Sequence, residues 1–236
     1  MNSQIYKMVS NDVHVVFGFV DVNHKLHRKS YTFVKLNSRR KYISLATVRH
    51  SFVRTYKNHI KEVGSAICCS VLNCKKEREN SPVKKETNWY ITTLVEADVN
   101  KQLNELEKKY NYSGLDLIKK MLLCDFSIPE LYFESKKLGD FKEKFIIDAE
   151  KYSSEKLDSF LNKFNSKKLM KKAEYTNYGE NLSRIKMSDY EDRKICAELF
   201  SYGLEFGEIK FLTFDNAFRK YLNKFGKENN VKVLSV

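Results

Sequence analysis

Three aspartates stand where carboxylates could gather around a divalent cation: Asp21, Asp192 and Asp215. Asp21 follows the apolar run 13–20 (VHVVFGFV), and Asp215 follows the run 209–213 (IKFLT). Both runs are rich in β-branched and aromatic residues, the pattern of buried strands. In open parallel sheets, ligands bind just beyond the carboxyl ends of such strands. Asp192 falls in the first turn of a helix expected over 190–204, with Asp189 just before it; Ile195 and Leu199 would turn that side of the helix toward the core. Acids gathered without neutralising lysines either raise one another's pKa or hold a cation. Oxygen-only ligands suit Mg²⁺ or Mn²⁺, and an ion so held can generate hydroxide and stabilise charge on a scissile phosphate. Each position also has a plainer role, as a helix N-cap, a turn residue or a first-turn acid. The arrangement carries the expectation, not any single residue.

The elements that must position these acids lie at the two ends of the chain. The patterning predicts a strand over 13–20, a first helix over 28–36, and a strand or helix lead-in at 41–45 (KYISL). Val48, Phe52, Tyr56 and Ile60 recur every four residues, which predicts an amphipathic helix over 47–60. The middle is mostly helical in pattern. A short apolar segment at 66–74 is followed by a polar stretch, 74–86, containing Pro82, which reads as an exposed loop. Helices are then expected over 89–110, over 114–124, from Pro129, and over 141–172. The tail returns to α/β character: a helix over 190–204, a strand over 209–213, a helix over 216–225 with Gly226 at its C-cap, and a strand over 231–236. The expected architecture is α/β, assembled from residues 1–63 and 181–236, with a large helical insertion over 64–180.

Composition narrows the class. Two prolines and eight glycines argue against a fibrous or disordered chain, and 42% hydrophobic residues can form a sizeable core. A mean hydropathy of -0.54, with no apolar run near ~20 residues, leaves no membrane span to expect. The first 20 residues lack the basic and apolar regions of a signal peptide, so the expected location is cytoplasmic. Five cysteines, three of them crowded at Cys68, Cys69 and Cys74, make neither a disulfide framework nor a zinc pattern. The formal charge is +13, and residues 1–63 hold 12 Lys/Arg against 3 Asp/Glu. Such an excess suits a polyanion partner through counterion release.

The tail DRKICAELFSYGLEFGEIKFLTFDNAF resembles the C-terminal half of the PIN-like nuclease domain family. The shared features are an Asp, an Ile three residues on, a helix, and a strand ending T-x-D-x-x-F; this chain supplies Asp192, Ile195, Thr213, Asp215 and Phe218. Asp21-Val22-Asn23 is similar to the family's opening D-x-N. The resemblance covers about half the chain. It implies a three-layer αβα fold with a central, mainly parallel sheet, and Mg²⁺- or Mn²⁺-dependent ribonuclease activity. By the same resemblance Asp21, Asp192 and Asp215 are catalytic and metal-binding and Asn23 and Thr213 are supporting residues, while Asp189 or Glu191 could reach the site as a further metal ligand. RNA is the implied partner, with DNA a possibility from wider relatives; an antitoxin-type protein or a second copy of the chain are further candidates. One departure weakens catalysis: the family's early-helix Glu is matched here by Ser51, and Glu62, eleven residues on, is about three turns away. The chain is then a ribonuclease, or a catalytically impaired RNA-binding or scaffold protein. Basic residues that could grip a phosphate backbone are His27 and Arg28 (with His24 beside them), Lys75, Lys76 and Arg78, and Lys167, Lys168, Lys171 and Lys172.

Overall fold

The computed structural model of the chain describes residues 8–79, 87–110, 112, 114–166 and 177–234. It divides into two compact units, one formed by 1–54 with 155–236 and the other by 55–154, and the divisions fall within two long helices.

The first unit is α/β with a parallel sheet. Five short strands, β1 (Met8–Asn11), β2 (Lys41–Tyr42), β3 (Asn165–Ser166), β4 (Ile209–Leu212) and β5 (Val231–Val233), are ordered β3-β2-β1-β4-β5. Every neighbouring pair is parallel. β1 and β4 are aligned from Met8 opposite Ile209 to Asn11 opposite Leu212. The connections from β1 and from β4 run to opposite sides of the sheet, so strand order reverses between these two. Their carboxyl ends are thus the crevice position of open α/β sheets.

The run 13–20 is α1 (Val13–Val20), a helix rather than the expected strand. Asp12 sets it as N-cap, its side chain accepting from the His14 and Val15 amides. Val15, Val16, Phe17 and Gly18 are buried, so burial around the helix supplies the continuous apolar run that also marks an interior strand. α2 (His27–Asn37) packs against α1 where Gly18 meets Ser30; a Cβ at Gly18 would stand 2.4 Å from the Ser30 Oγ.

From Ala46 one helix, α3 (Ala46–Glu79), runs without interruption. It therefore takes in the expected helix, the short apolar segment and the first half of the expected loop; residues 80–86, with Pro82, lie outside the described residues. The N-terminus of α3 is held by Glu198, whose carboxylate accepts from the Thr47 amide (3.2 Å) and the Thr47 hydroxyl (2.6 Å) in the dry core.

The second unit is helical: the body of α3, α4 (Asn88–Tyr110), α5 (Leu115–Leu122), α6 (Ile128–Phe133) and most of α7 (Ser135–Leu161). Ser127 and Glu130 form a reciprocal capping box at the start of α6, with Pro129 in its first turn. Gly64 lets the α7 residue Phe145 lie directly on α3, since a Cβ there would be 2.5 Å from its ring. α7 ends at Leu161, and β3 follows within the span expected to be helical. α8 (Tyr178–Arg184), α9 (Tyr190–Phe206) and α10 (Asn216–Phe225) complete the first unit. No helix among the described residues is long and apolar enough to cross a membrane. All five cysteines are free.

Glu198 makes the central anchor of α3 testable. Glu198→Ala leaves a buried amide and hydroxyl without their acceptor and opens a cavity, so it is expected to lower stability by about 2–4 kcal/mol. Glu198→Gln, which keeps one acceptor oxygen, should lose less; equal losses in urea titration would show that the hydrogen bonds are not the source.

Candidate functional site

The acid at the end of β1 is Asp12, a residue the sequence pattern did not single out. It directly follows Asn11, and its amide donates to the Leu212 carbonyl of β4 at 3.1 Å. The side chain is 3% exposed. Its carboxylate accepts from the His14 amide (2.9 Å), the Val15 amide (3.3 Å) and the Thr213 hydroxyl. Thr213, fully buried one residue past β4, also accepts from the Asp215 amide at 3.1 Å. One hydroxyl thus joins the end of β1 to the start of α10. Burial pushes the Asp12 carboxyl above its ordinary range, against the charge of His14 and the donors from Thr213, Val15 and His14.

Asp215 is the N-cap of α10, accepting from the Phe218 amide at 2.7 Å. Asp189 is the N-cap of α9, accepting from the Asp192 amide at 2.9 Å. The N-caps of α1, α9 and α10 are therefore all aspartates. Asp192 is different: it lies in the first turn of α9 and caps nothing. Partial burial first, then the charges of Asp189, Asp215 and Asp12, push its pKa up to about 6, with only His14 opposing. Beneath it the Cys196 thiol is fully buried and pushed upward by that burial and by Asp192.

Asp21 does not belong to this group. It closes the far end of α1, nine residues and about 13 Å along the helix from Asp12, and it is not among the charges acting on Asp192. Its premise as a strand-end ligand fails with the strand. Buried at the start of the α1–α2 turn, it accepts from the Asn23 amide at 2.9 Å, and its second oxygen has no hydrogen-bond partner among the described residues. Asn23 is part of the same local turn. His24 is buried there, which lowers its pKa, and Leu26 donates to its Nδ1. His27 hydrogen-bonds the Gly18 carbonyl through Nδ1 at 2.8 Å, a helix–helix tie, while Arg28 is exposed.

Ser51 is buried on α3 and donates its hydroxyl to Glu191. Burial would raise the Glu191 carboxyl, but Ser51, Lys194 and Arg54 together hold it below its ordinary value. Lys194 stands 3.4 Å and Arg54 3.6 Å away. Glu191 is thus occupied by cations of its own. In the second unit, Lys75 lies over the Tyr132 ring and Arg78 over that of Tyr90, and Lys76 is exposed on α3. Lys167, Lys168, Lys171 and Lys172 lie outside the described residues.

The donor chemistry around Asp192 fits a hard cation: carboxylate oxygens and a hydroxyl, with uncompensated negative charge. The spacing is looser than the chemistry. Among the described residues, no group of three or more His, Cys, Asp or Glu side chains is closed tightly enough to hold an ion. The acids act on one another through space rather than within one coordination sphere. No family model, curated protein or solved structure matches the chain.

Asp192 carries a pH signature. Its folded pKa, about 6, exceeds the ordinary 3.8, so the stability it confers is complete below pH 3.8 and is lost as pH rises through about 6. Asp192→Asn should therefore stabilise the protein at pH 8 by about 1 kcal/mol after allowance for solvent screening, or ~2–4 °C in Tm. Below pH 4 the two melting curves should converge; a constant gap at all pH values would refute the electrostatic account.

Proposed function

We propose that this chain is a PIN-like, metal-dependent nuclease, with RNA as its substrate and the three-layer αβα arrangement of that family. Asp12, Asp192 and Asp215 are its catalytic carboxylates, with Asp189 beside them. The observation that supports this reading is the placing of Asp12 and Asp215, joined through Thr213, at the carboxyl ends of β1 and β4, where strand order reverses, with Asp192 near enough for both, and Asp189, to raise its pKa beyond the effect of burial. Charge brought to such a place is neutralised by a divalent cation or by a proton.

Mg²⁺ or Mn²⁺, when bound, supplies an activated water and a counter-charge for the scissile phosphate. The chain's own contribution is positional. Thr213 holds the Asp12 carboxylate and the first turn of α10 in one register. The N-termini of α1, α9 and α10 turn backbone N–H groups toward the same acids, which favours negative charge there. Asp192, raised by burial and by its acidic neighbours, would be drawn back to the ionised form by a cation at the site and would serve there as a ligand.

A second reading keeps the fold and loses catalysis: an RNA-binding or scaffold protein. It is favoured by Ser51, which stands where the resembled family carries a ligand Glu, and by the engagement of Glu191 with Ser51, Lys194 and Arg54.

Single-stranded and structured RNA, with a DNA strand alongside, incubated with Mn²⁺ or with chelator, separates these readings. The nuclease reading expects RNA cleavage that chelator abolishes and that falls at least ~100-fold in Asp12→Asn and Asp215→Asn. Asp21→Asn should cleave as the parent does. Mn²⁺ should also raise the Tm of the parent and not that of Asp12→Asn. Binding without cleavage, and no Mn²⁺-dependent shift in Tm, selects the inert reading; cleavage of DNA alone would reassign the substrate.

A further inference from the structure

A cleft of about 1040 Å³ lies between α8, α9 and α10, wholly within the first unit. Its lining includes four cations, Arg184, Lys186, Lys220 and Lys224, against one acid, Glu228. Its floor is apolar and aromatic. Phe200 is buried, and Tyr221 and Phe225 are half-buried, their rings 4.7 Å apart and tilted by 44°. Lys220, Tyr221 and Lys224 recur at three- and four-residue spacing and so share one face of α10. Lys224 lies 5.0 Å from the Phe225 ring.

The cleft is continuous in sequence with the acidic centre. Asp215 is the N-cap of the same helix, and Ala217, in its first turn, already lines the cleft. From Asp215 to Lys224 is nine residues, about 13 Å along the axis.

We infer that this cleft binds a single-stranded polynucleotide, with phosphates on Lys220 and Lys224 and bases against Tyr221 and Phe225. It rests on the nuclease reading for its direction, since the strand then leads to Asp215, but its binding chemistry is independent of catalysis. Cations interleaved with aromatic rings match the alternation of phosphate and base in an unpaired strand. A duplex hides its base faces and could use only the lysines. An acidic peptide would satisfy the lysines, but its backbone does not repeat a flat ring at each charge as an unpaired strand does.

The test measures fluorescence anisotropy of a labelled oligouridylate and a labelled oligothymidylate, with chelator present so that nothing is cleaved, between about 50 and 200 mM salt. The exposed pair Lys220→Gln/Lys224→Gln should raise Kd about tenfold and lessen the salt slope by about 1.4, from ~0.7 per phosphate contact in single strands. Lys101→Gln/Lys108→Gln, an exposed pair in the other unit, should change neither. Photocrosslinking with iodouridine in the strand should label a peptide spanning Asn216–Phe225. Binding and slope unchanged in Lys220→Gln/Lys224→Gln, no binding by the parent protein, or tighter binding of an acidic leucine-containing peptide would each overturn the inference. Failure of cleavage with the binding effects intact would count against the nuclease reading and leave the cleft standing. Cleavage with unaltered binding would do the reverse.

Discussion

The β1–β4 pairing is the constraint on which the first unit depends. These strands join residues about two hundred positions apart, and both lie inside the sheet, flanked by β2 and β5. Closing so long a loop costs conformational entropy that only buried contacts can offset. The contacts are there: Val9, Phe211 and Leu212 are almost wholly buried, Ser10 donates to the Ile43 carbonyl, and Tyr42 donates to Asn11. The Thr213 hydroxyl completes the join by bonding Asp12 and receiving the Asp215 amide. Everything proposed about chemistry follows from this pairing, because it brings an acid from the front of the chain to acids from the rear.

Three of those acids have sufficient structural reasons. Asp12, Asp189 and Asp215 each cap a helix, and each satisfies backbone N–H groups that would otherwise lack partners. Helices α1 and α10 start directly beyond the carboxyl ends of β1 and β4, which brings their caps together. Asp192 is the residue this explanation leaves over. It sits close enough to the caps to feel all three: its amide donates to Asp189, and its carboxyl, pressed by burial and by the three acids, carries a raised pKa. A destabilising charge retained beside three others is the kind of feature that functional sites tolerate. The proposal therefore rests on Asp192 together with those caps.

How much of this was legible depended on the range of the interactions involved. The α9–β4–α10 segment was readable because its signals are local: an apolar strand, then Thr-x-Asp, then an amphipathic helix. The α/β class with a parallel sheet followed from the same local patterns. Met8–Asn11 was not readable, since a four-residue strand ending in Ser and Asn has no hydrophobic signature. Its polar groups are satisfied by Ile43 and Tyr42, more than thirty residues away. The run 13–20 misled for the opposite reason. Burial makes a short interior helix as uniformly apolar as an interior strand, and the β-branched residues tip the choice the wrong way. The one local clue was Asp12 itself, a capping residue directly before the run. Taking the helix for a strand moved the strand-end acid from Asp12 to Asp21, one helix length along the chain.

The same helix polarity sets the charge gradient around the site. An acid at the N-terminus of α10 and lysines toward its C-terminus are both favoured by the helix dipole, so Asp215 and Lys224 stabilise the helix before any ligand arrives. At about 13 Å apart they are separated by more than the ~8 Å screening length of physiological salt, and neither cancels the other's field at its own end. A polyanion would therefore meet attraction along the basic half of α10 and repulsion at its acidic start. Without a cation, that repulsion would leave a strand held in the cleft but short of the carboxylates. Binding of strand and cation would then be mutually reinforcing. Asp12, Asp192 and Asp215 would be the residues to hold the ion, whose charge would lessen the repulsion there, and Lys220 and Lys224 those to draw in the strand.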